Sequence, residues 1–356
     1  MQNHMSINET KLNEFMGKFV MDLGALMHAP CVILGERLGL YKAMAGAGPI
    51  TGEELARLTG THARYVDEWL AANAASGYVD YDAESRTYSL SPEQAFALAD
   101  EQSPAYIPGA FELALAGFHD VDKLIAAYKS GKGVGWHEHH GSLFRGTERF
   151  FRPGYAANLC ATWIPALDGV EAKLKAGGRV ADVGCGHGAS TILMAQAYPR
   201  STFFGFDFHD ASIAIARTKA AEAGVSDRVT FAVATAKEIP EGGYDFVAFF
   251  DCLHDMGDPV GAARRVHQAL KPDGTWMIVE PFAGDKVEHN LNPVGRIFYS
   301  ASAMICTPAS RSQEVGLALG AQAGESRLGE VIRSGGFGRF RRAAETPFNL
   351  ILEARP

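Results

Sequence analysis

Apolar stretches and helical patterns alternate along the second half of the chain. Arg179 to Val183 reads as a short buried strand. Three glycines follow at alternate positions, Gly184, Gly186 and Gly188, and Ala189 to Ala197 then predicts a helix. Thr202 to Phe206 is a second apolar strand that runs into Asp207 and Phe208. Val229 to Val233 is a third. Tyr244 to Phe250, entered through Asp245, is nearly all apolar, as a central parallel strand should be. Asp258-Pro259 opens a helix that runs to Leu270, Lys271 to Gly274 is a turn, and Thr275 to Val279 is a fifth strand ending at Glu280-Pro281. Phe282 to Gln322 breaks the alternation. Arg339 to Ala344 and Asn349 to Ala354, linked through Thr346-Pro347-Phe348, predict a terminal antiparallel hairpin. Strands alternating with helices predict an α/β fold.

The first half has a different pattern. Leu12 to Ala45 is apolar at helical spacing, with Phe15, Phe19, Leu23, Leu26 and Met27 on one side. Pro30 is expected to interrupt it, so that Cys31 to Ala45 forms a second helix. One small domain cannot easily bury so long an apolar pair, which predicts a dimer surface; burial within its own chain is the alternative. Residues 36 to 91 read as a winged helix. Thr51 caps a short helix from Gly52, with Glu54 completing a capping box. Ala63 to Ser76 is the helix that reads DNA in a true regulator, and Tyr78 to Leu90 is the wing hairpin. DNA phosphates need Lys and Arg. Residues 36 to 100 carry five bases against ten acids, and Ala63 to Ser76 sets Asp67 and Glu68 against a single Arg64. Nucleic acid is therefore not the expected partner. Pro92 to Ser130 is helical linker, and Gly131 to Gly135 is a hinge. The predicted division is 1–100 helical and winged, 101–165 linker and pocket wall, and 166–356 catalytic.

Composition narrows the class. The 356 residues allow two domains, and 47% hydrophobic content is ordinary for a globular chain. A net charge of −8 gives no global attraction to nucleic acid or anionic membrane. Five scattered cysteines without a C-x-x-C pair support neither a disulfide framework nor a zinc ribbon. With no leader pattern and no uninterrupted apolar run of about 18 residues, a cytoplasmic protein without a membrane partner is expected.

The glycine loop is the first candidate for chemistry. A strand, a glycine turn and a helix start offer close backbone approach and free N–H groups to a ligand. Asp207 closes the second strand and is placed to accept hydrogen bonds from ribose hydroxyls. A dinucleotide fingerprint would need glycine at 189, where Ala189 stands. A dinucleotide enzyme and a degenerate loop without ligand are the alternatives. The G-x-G-x-G spacing after Asp182 instead resembles motif I of class I S-adenosylmethionine-dependent methyltransferases, and Leu270 to Gly274 followed by a strand resembles the same family. The runs Phe249 to Pro259 and Asn290 to Arg296 look most like mycobacterial winged-helix methyltransferases, and the N-terminal module also resembles that of small-molecule O-methyltransferases.

This resemblance implies a Rossmann-like seven-stranded methyltransferase sheet behind a mainly helical winged-helix domain. It implies S-adenosyl-L-methionine as cofactor, S-adenosyl-L-homocysteine as product and a small-molecule substrate. Implied cofactor contacts are Asp182, Gly184, Gly186, Gly188, Asp207, Phe208 and Asp251. Tyr155 joins them from a helix that tends to lie over the cofactor, entered by a turn at Arg149 to Tyr155. Thr235 stands where the family commonly has an acid for the adenine amino group. His254 sits where plant-type O-methyltransferases carry a catalytic histidine before Asp, although Met256 replaces their Trp. A base is useful because a hydroxyl acceptor must lose its proton, and histidine titrates near neutrality. Glu280, at the next strand end, could orient it. Other roles for His254 are a pocket wall or a structural one. Trp136, His139, His140, Tyr299 and Met304 are the expected substrate wall. His137 and His140 have metal-ligand spacing, but no third ligand can be placed, and no metal is expected. Methyl transfer to oxygen is the leading reading. Transfer to nitrogen or carbon without a base, and a ligand-sensing regulator, are the others.

Overall fold

The computed structural model describes residues 7–356. They form two compact units, one through Glu112 and one from Leu113.

In the first unit, α1 runs unbroken over Glu9–Arg37, so Pro30 does not interrupt it. Pro30 lies on an exposed part of the helix, where the lost hydrogen bond is not sealed away from water. The break comes instead at Gly39, which takes φ 69° before α2, Leu40–Met44. Only His28, Val32 and Gly35 of α1 are buried. Gly35 lies so close to the Trp69 and Tyr41 rings that a β-carbon would collide with them. Around this contact pack Val32, Leu40, Met44, Leu55, Val66 and Leu70. α3 (Gly52–Thr59) starts on the Thr51–Glu54 capping box that its sequence predicts. α4 (Ala63–Ala75), β1 (Asp80–Asp82) and β2 (Thr87–Ser89), antiparallel to β1, complete the winged helix before α5, Pro92–Leu98. Most of the rest of α1 is exposed, with Phe15 at 67% and Met21 at 75%. By length and composition alone α1 could cross a membrane, with a mean hydropathy of 1.4 over its most apolar 18 residues.

The helices α6 (Pro108–His119), α7 (Val121–Ser130), α8 (Ser142–Asn158) and α9 (Val170–Ala176) precede the main sheet. α8 passes through Pro153 without the predicted turn, and a π-helical turn over Leu159–Trp163 follows it. The sheet comprises β3 (Arg179–Val183), β4 (Thr202–Asp207), β5 (Val229–Val233), β6 (Tyr244–Phe250), β7 (Leu270–Pro281), β8 (Arg339–Glu345) and β9 (Asn349–Arg355). Its order is β5-β4-β3-β6-β7-β9-β8, all parallel except β9, which runs antiparallel to both its neighbours. β7 begins at Leu270, five residues before the sequence predicts. Leu270 pairs with Tyr244 and Thr275 with Phe246, so Lys271 to Gly274 form a bulge within the strand.

α10 (Ala189–Ala197) and α11 (Asp210–Glu222) follow β3 and β4, and α12 (Pro259–Ala269) leads into β7. Successive strands leave β3 in opposite directions, towards β4 and β6. This reversal opens a crevice at the strands' carboxyl ends, where ligands of such sheets bind. The interrupting segment folds as α13 (Pro293–Ala301), a π-helical turn (Ser302–Cys306) and α14, Thr307–Arg311. Asn292 caps α13 by accepting from the Gly295 N–H at 2.9 Å. α15 (Gly324–Ser334) then returns to the terminal hairpin. One core, with Trp163, Met194, Phe203 and Phe246, and a second, with Val266, Phe249, Trp276 and Ile332, bury the sheet.

Candidate active site

The crevice widens into a cavity of about 760 Å³, a volume typical of small-molecule sites. One side is the glycine loop. Gly184, at φ 74°, takes a conformation that L side chains rarely adopt, and a β-carbon there would stand 2.8 Å from Cys252 Sγ. Asp207, at the tip of β4, ties the loop down by accepting from the Gly186 N–H at 2.9 Å, and its other oxygen accepts from the His209 N–H at 2.9 Å. Burial raises its carboxyl pKa. Phe208, Thr235 and Asp251 continue the lining. Thr235 donates its hydroxyl to Glu238 at 2.8 Å.

Asp182 and Gly188 do not line the cavity. Asp182 is fully buried, and one carboxylate oxygen accepts from the Ser190 and Thr191 hydroxyls at 2.6 Å each. Burial pushes its pKa up to about 6. Its place is beneath the loop, holding the first turn of α10. A β-carbon at Gly188 would meet the Phe231 ring at 2.6 Å, so this glycine serves helix–sheet packing.

α8 supplies the opposite wall with Phe144, Thr147, Glu148, Phe151, Arg152 and Tyr155, a stripe at helical spacing. Tyr155 donates its hydroxyl to Asp251 at 2.7 Å. Asp251 holds φ 48°, an uncommon value for a side-chain-bearing residue, and also accepts from Asn349 Nδ2 at 3.1 Å. Burial and the neighbouring Glu280 and Asp255 charges push its pKa up to about 7, against the Tyr155 bond and His254.

Between these walls, a short 3-10 turn after β6 carries His254. Its ring is almost wholly buried. Nδ1 shares a short hydrogen bond with Glu280, whose other oxygen accepts from the Leu253 N–H at 2.9 Å. Nε2 lies 3.2 Å from an oxygen of Asp255 but without hydrogen-bond alignment, and that oxygen has no partner among the described residues. The other Asp255 oxygen accepts from Trp136 Nε1 at 3.0 Å. Burial works to lower the His254 pKa, but Glu280 and Asp255 raise it well above the ordinary value. Cys306 adjoins the pair, and ligand-type atoms of His254, Asp255 and Cys306 all lie within 4.8 Å of one another.

Four residues of the expected substrate wall lie elsewhere. His139 is buried against Asp120, 2.8 Å from its carboxylate. His140 stacks on His119, ring centroids 3.9 Å apart. Trp136 and His137 do reach the cavity, because the 3-10 turn over Trp136–Glu138 carries the later residues away. α13 and the turn after it line the cavity with Ile297, Phe298, Ala301, Ile305 and Cys306. Tyr299, about 100° round the helix from Phe298, borders a second, smaller cavity of about 280 Å³. Met304 packs towards Leu124, Ala127 and Val134.

Glu148, Arg152, Phe144 and Asp255 are cavity residues that the sequence reading did not single out. The period of α8, counted back from Tyr155, could have exposed the first three.

Residues 174–324 match the family described as "Methyltransferase domain", and residues 26–100 match the "Rv2258c-like winged HTH domain". The ubiquinone biosynthesis O-methyltransferase of Pseudomonas aeruginosa (strain UCBPP-PA14) is 34% identical over 131 residues, 36% of this chain and 53% of that one. The chain thus spans about half the length of this curated relative. Among solved structures, a putative O-methyltransferase from Nostoc punctiforme superposes with a TM-score of 0.72 at 18% identity, covering 95% of this chain and 98% of that one. Human N-acetylserotonin methyltransferase in complex with SAM gives 0.69 at 15% identity, covering 100% and 99%. The chain therefore combines a methyltransferase domain on a seven-stranded α/β sheet with an N-terminal winged helix-turn-helix domain.

Proposed function

We propose that this protein transfers a methyl group from S-adenosyl-L-methionine to a hydroxyl of a small, largely apolar molecule, with His254 as the general base. One observation carries the reading: His254, held by the buried Glu280, lines the same cavity as the glycine loop. When bound, S-adenosyl-L-methionine supplies an electrophilic methyl group on a sulfonium sulfur, and S-adenosyl-L-homocysteine is its demethylated product. Gly184 and Gly186 leave room for close backbone approach. Asp207 would accept hydrogen bonds from the ribose hydroxyls, and Phe208 and Thr235, which line the same cavity, would hold the adenine. Tyr155 and Asp251 close the site between the walls.

Glu280 accepts a hydrogen bond from the His254 Nδ1–H, which keeps the proton on Nδ1 and leaves Nε2 of the neutral ring free to take the acceptor's proton. The unpartnered Asp255 oxygen beside Nε2 stabilises the imidazolium that forms. Trp136, Phe144, Phe298 and Ile305 give the acceptor an apolar, aromatic wall and keep water from the reacting atoms.

The exposed apolar face of α1 serves as the contact between two copies of the chain. The winged unit acts as scaffold, since Arg64 of α4 is tied to Glu68 within its own helix and leaves little to attract phosphate. All five cysteines are free thiols, in keeping with a reducing cytoplasm.

The test is calorimetric titration with S-adenosyl-L-methionine of the wild type, Asp207→Ala and His254→Ala. Binding lost in Asp207→Ala but kept in His254→Ala, together with a rate loss of about 10²- to 10⁴-fold in the latter, is the expected result. Full turnover by His254→Ala would move the acceptor to nitrogen or carbon. No binding to the wild type would sink the cofactor assignment.

A further inference from the structure

Arg152 is a cation facing the cavity without an anion. It stands one turn before Tyr155 on the cavity stripe of α8, half-buried, and makes no ion pair or hydrogen bond among the described residues. Its helical neighbour Glu148, at i−4, would be the usual partner. Both Glu148 oxygens are occupied, however. One is 2.7 Å from His187 Nδ1 in the glycine loop, and the other is paired with Lys219 of α11. Burial works to raise the Glu148 pKa, but these two partners outweigh it and bring the pKa down to about 2. Glu148 is therefore a fixed anion that fastens α8 to the loop and keeps Arg152 free. Lys237, the cavity's lysine, is already matched by Glu314 at 2.8 Å and Asp258 at 3.5 Å. A half-buried guanidinium left unpaired on the wall facing the glycine loop is free to take a bound anion in a charge-assisted, bidentate contact.

We infer that Arg152 receives the α-carboxylate of the cofactor's amino-acid end, and that Glu148, through His187, positions α8 so that it can. The inference rests on the cofactor reading above. A carboxylate on the methyl acceptor has the same chemistry, and the experiment separates the two sources.

Calorimetric titration of the full chain with S-adenosyl-L-homocysteine and with 5′-methylthioadenosine, which lacks the amino-acid end, reads the contact directly. The wild type is expected to prefer S-adenosyl-L-homocysteine. Arg152→Gln should weaken that ligand about 10- to 100-fold and leave 5′-methylthioadenosine within about twofold, while Arg152→Lys recovers part of the loss. The unchanged nucleoside affinity doubles as the folding control. Equal loss of both ligands would make Arg152 a structural residue and overturn the inference. Loss of neither would also overturn it, leaving the acceptor's carboxylate as the remaining source of an anion for Arg152. A wild type that binds both ligands equally would remove the clamp but keep the cofactor reading, whereas one that binds neither would remove both.

Discussion

Glu280 holds His254 by Nδ1 inside a pocket where the two residues are 1% and 3% exposed. The pair couples strand β7 to the turn after β6, and its charge sets the pH at which His254 is neutral. With the imidazole pKa raised well above its ordinary value, His254 reaches the neutral form that a base needs only at a higher pH than a free imidazole would. The rate should therefore climb as pH rises through that raised pKa and level off above it. Glu280→Gln removes one raising charge, so its rising limb should lie at lower pH and its plateau should be lower. A pH–rate profile checks both, and an unmoved limb in the variant would contradict the general-base role.

Asp182 is expected to matter for stability. Replacing it with Ala strands the Ser190 and Thr191 hydroxyls, at a cost of about 1–3 kcal/mol for each buried group left unpaired. Thermal unfolding should show a clear drop in Tm. A Tm equal to wild type would mean that the loop holds without this anchor.

A charge placed on α1 should separate the copies. Phe15 and Phe19 are 67% and 47% exposed, so Phe15→Glu with Phe19→Glu removes apolar contact without touching the core. Sedimentation analysis should give a dimer for the wild type and a monomer of unchanged helical content for the variant. A wild-type monomer would rule out this use of α1.

Chelation should leave turnover unchanged, because the base reading needs no metal. The ligand-type atoms of His254, Asp255 and Cys306 are near enough to one another for the test to be informative. Activity lost to EDTA and restored by zinc would reassign the cluster.

Local pattern decided much of this protein. The boundaries of β3, α10, β5 and β6 follow from apolar runs cut by glycine, proline and acid, and the capping box at Thr51 and Glu54 is a purely local device. Gly184 and Asp207 could be named from a glycine turn between a strand and a helix and from an acid at the next strand's tip, whereas His254 is named only through the resemblance to plant-type O-methyltransferases. Tertiary structure decided what sequence distance conceals. Pro30 stays within α1 on the exposed face of the helix, beside Leu26, Met27 and Leu34, a placement its neighbours in sequence do not encode. Asp182 faces inward onto two hydroxyls and does not line the cavity. Which of Trp136, His139 and His140 meets the cavity depends on the period of one short turn, and which of Phe298 and Tyr299 does so depends on the rotation of one helix. Arg152 gained its significance only when folding brought His187 and Lys219 to Glu148, from two elements far along the chain. Side-chain direction and charge pairing are set by packing, and packing is fixed only when the whole unit closes.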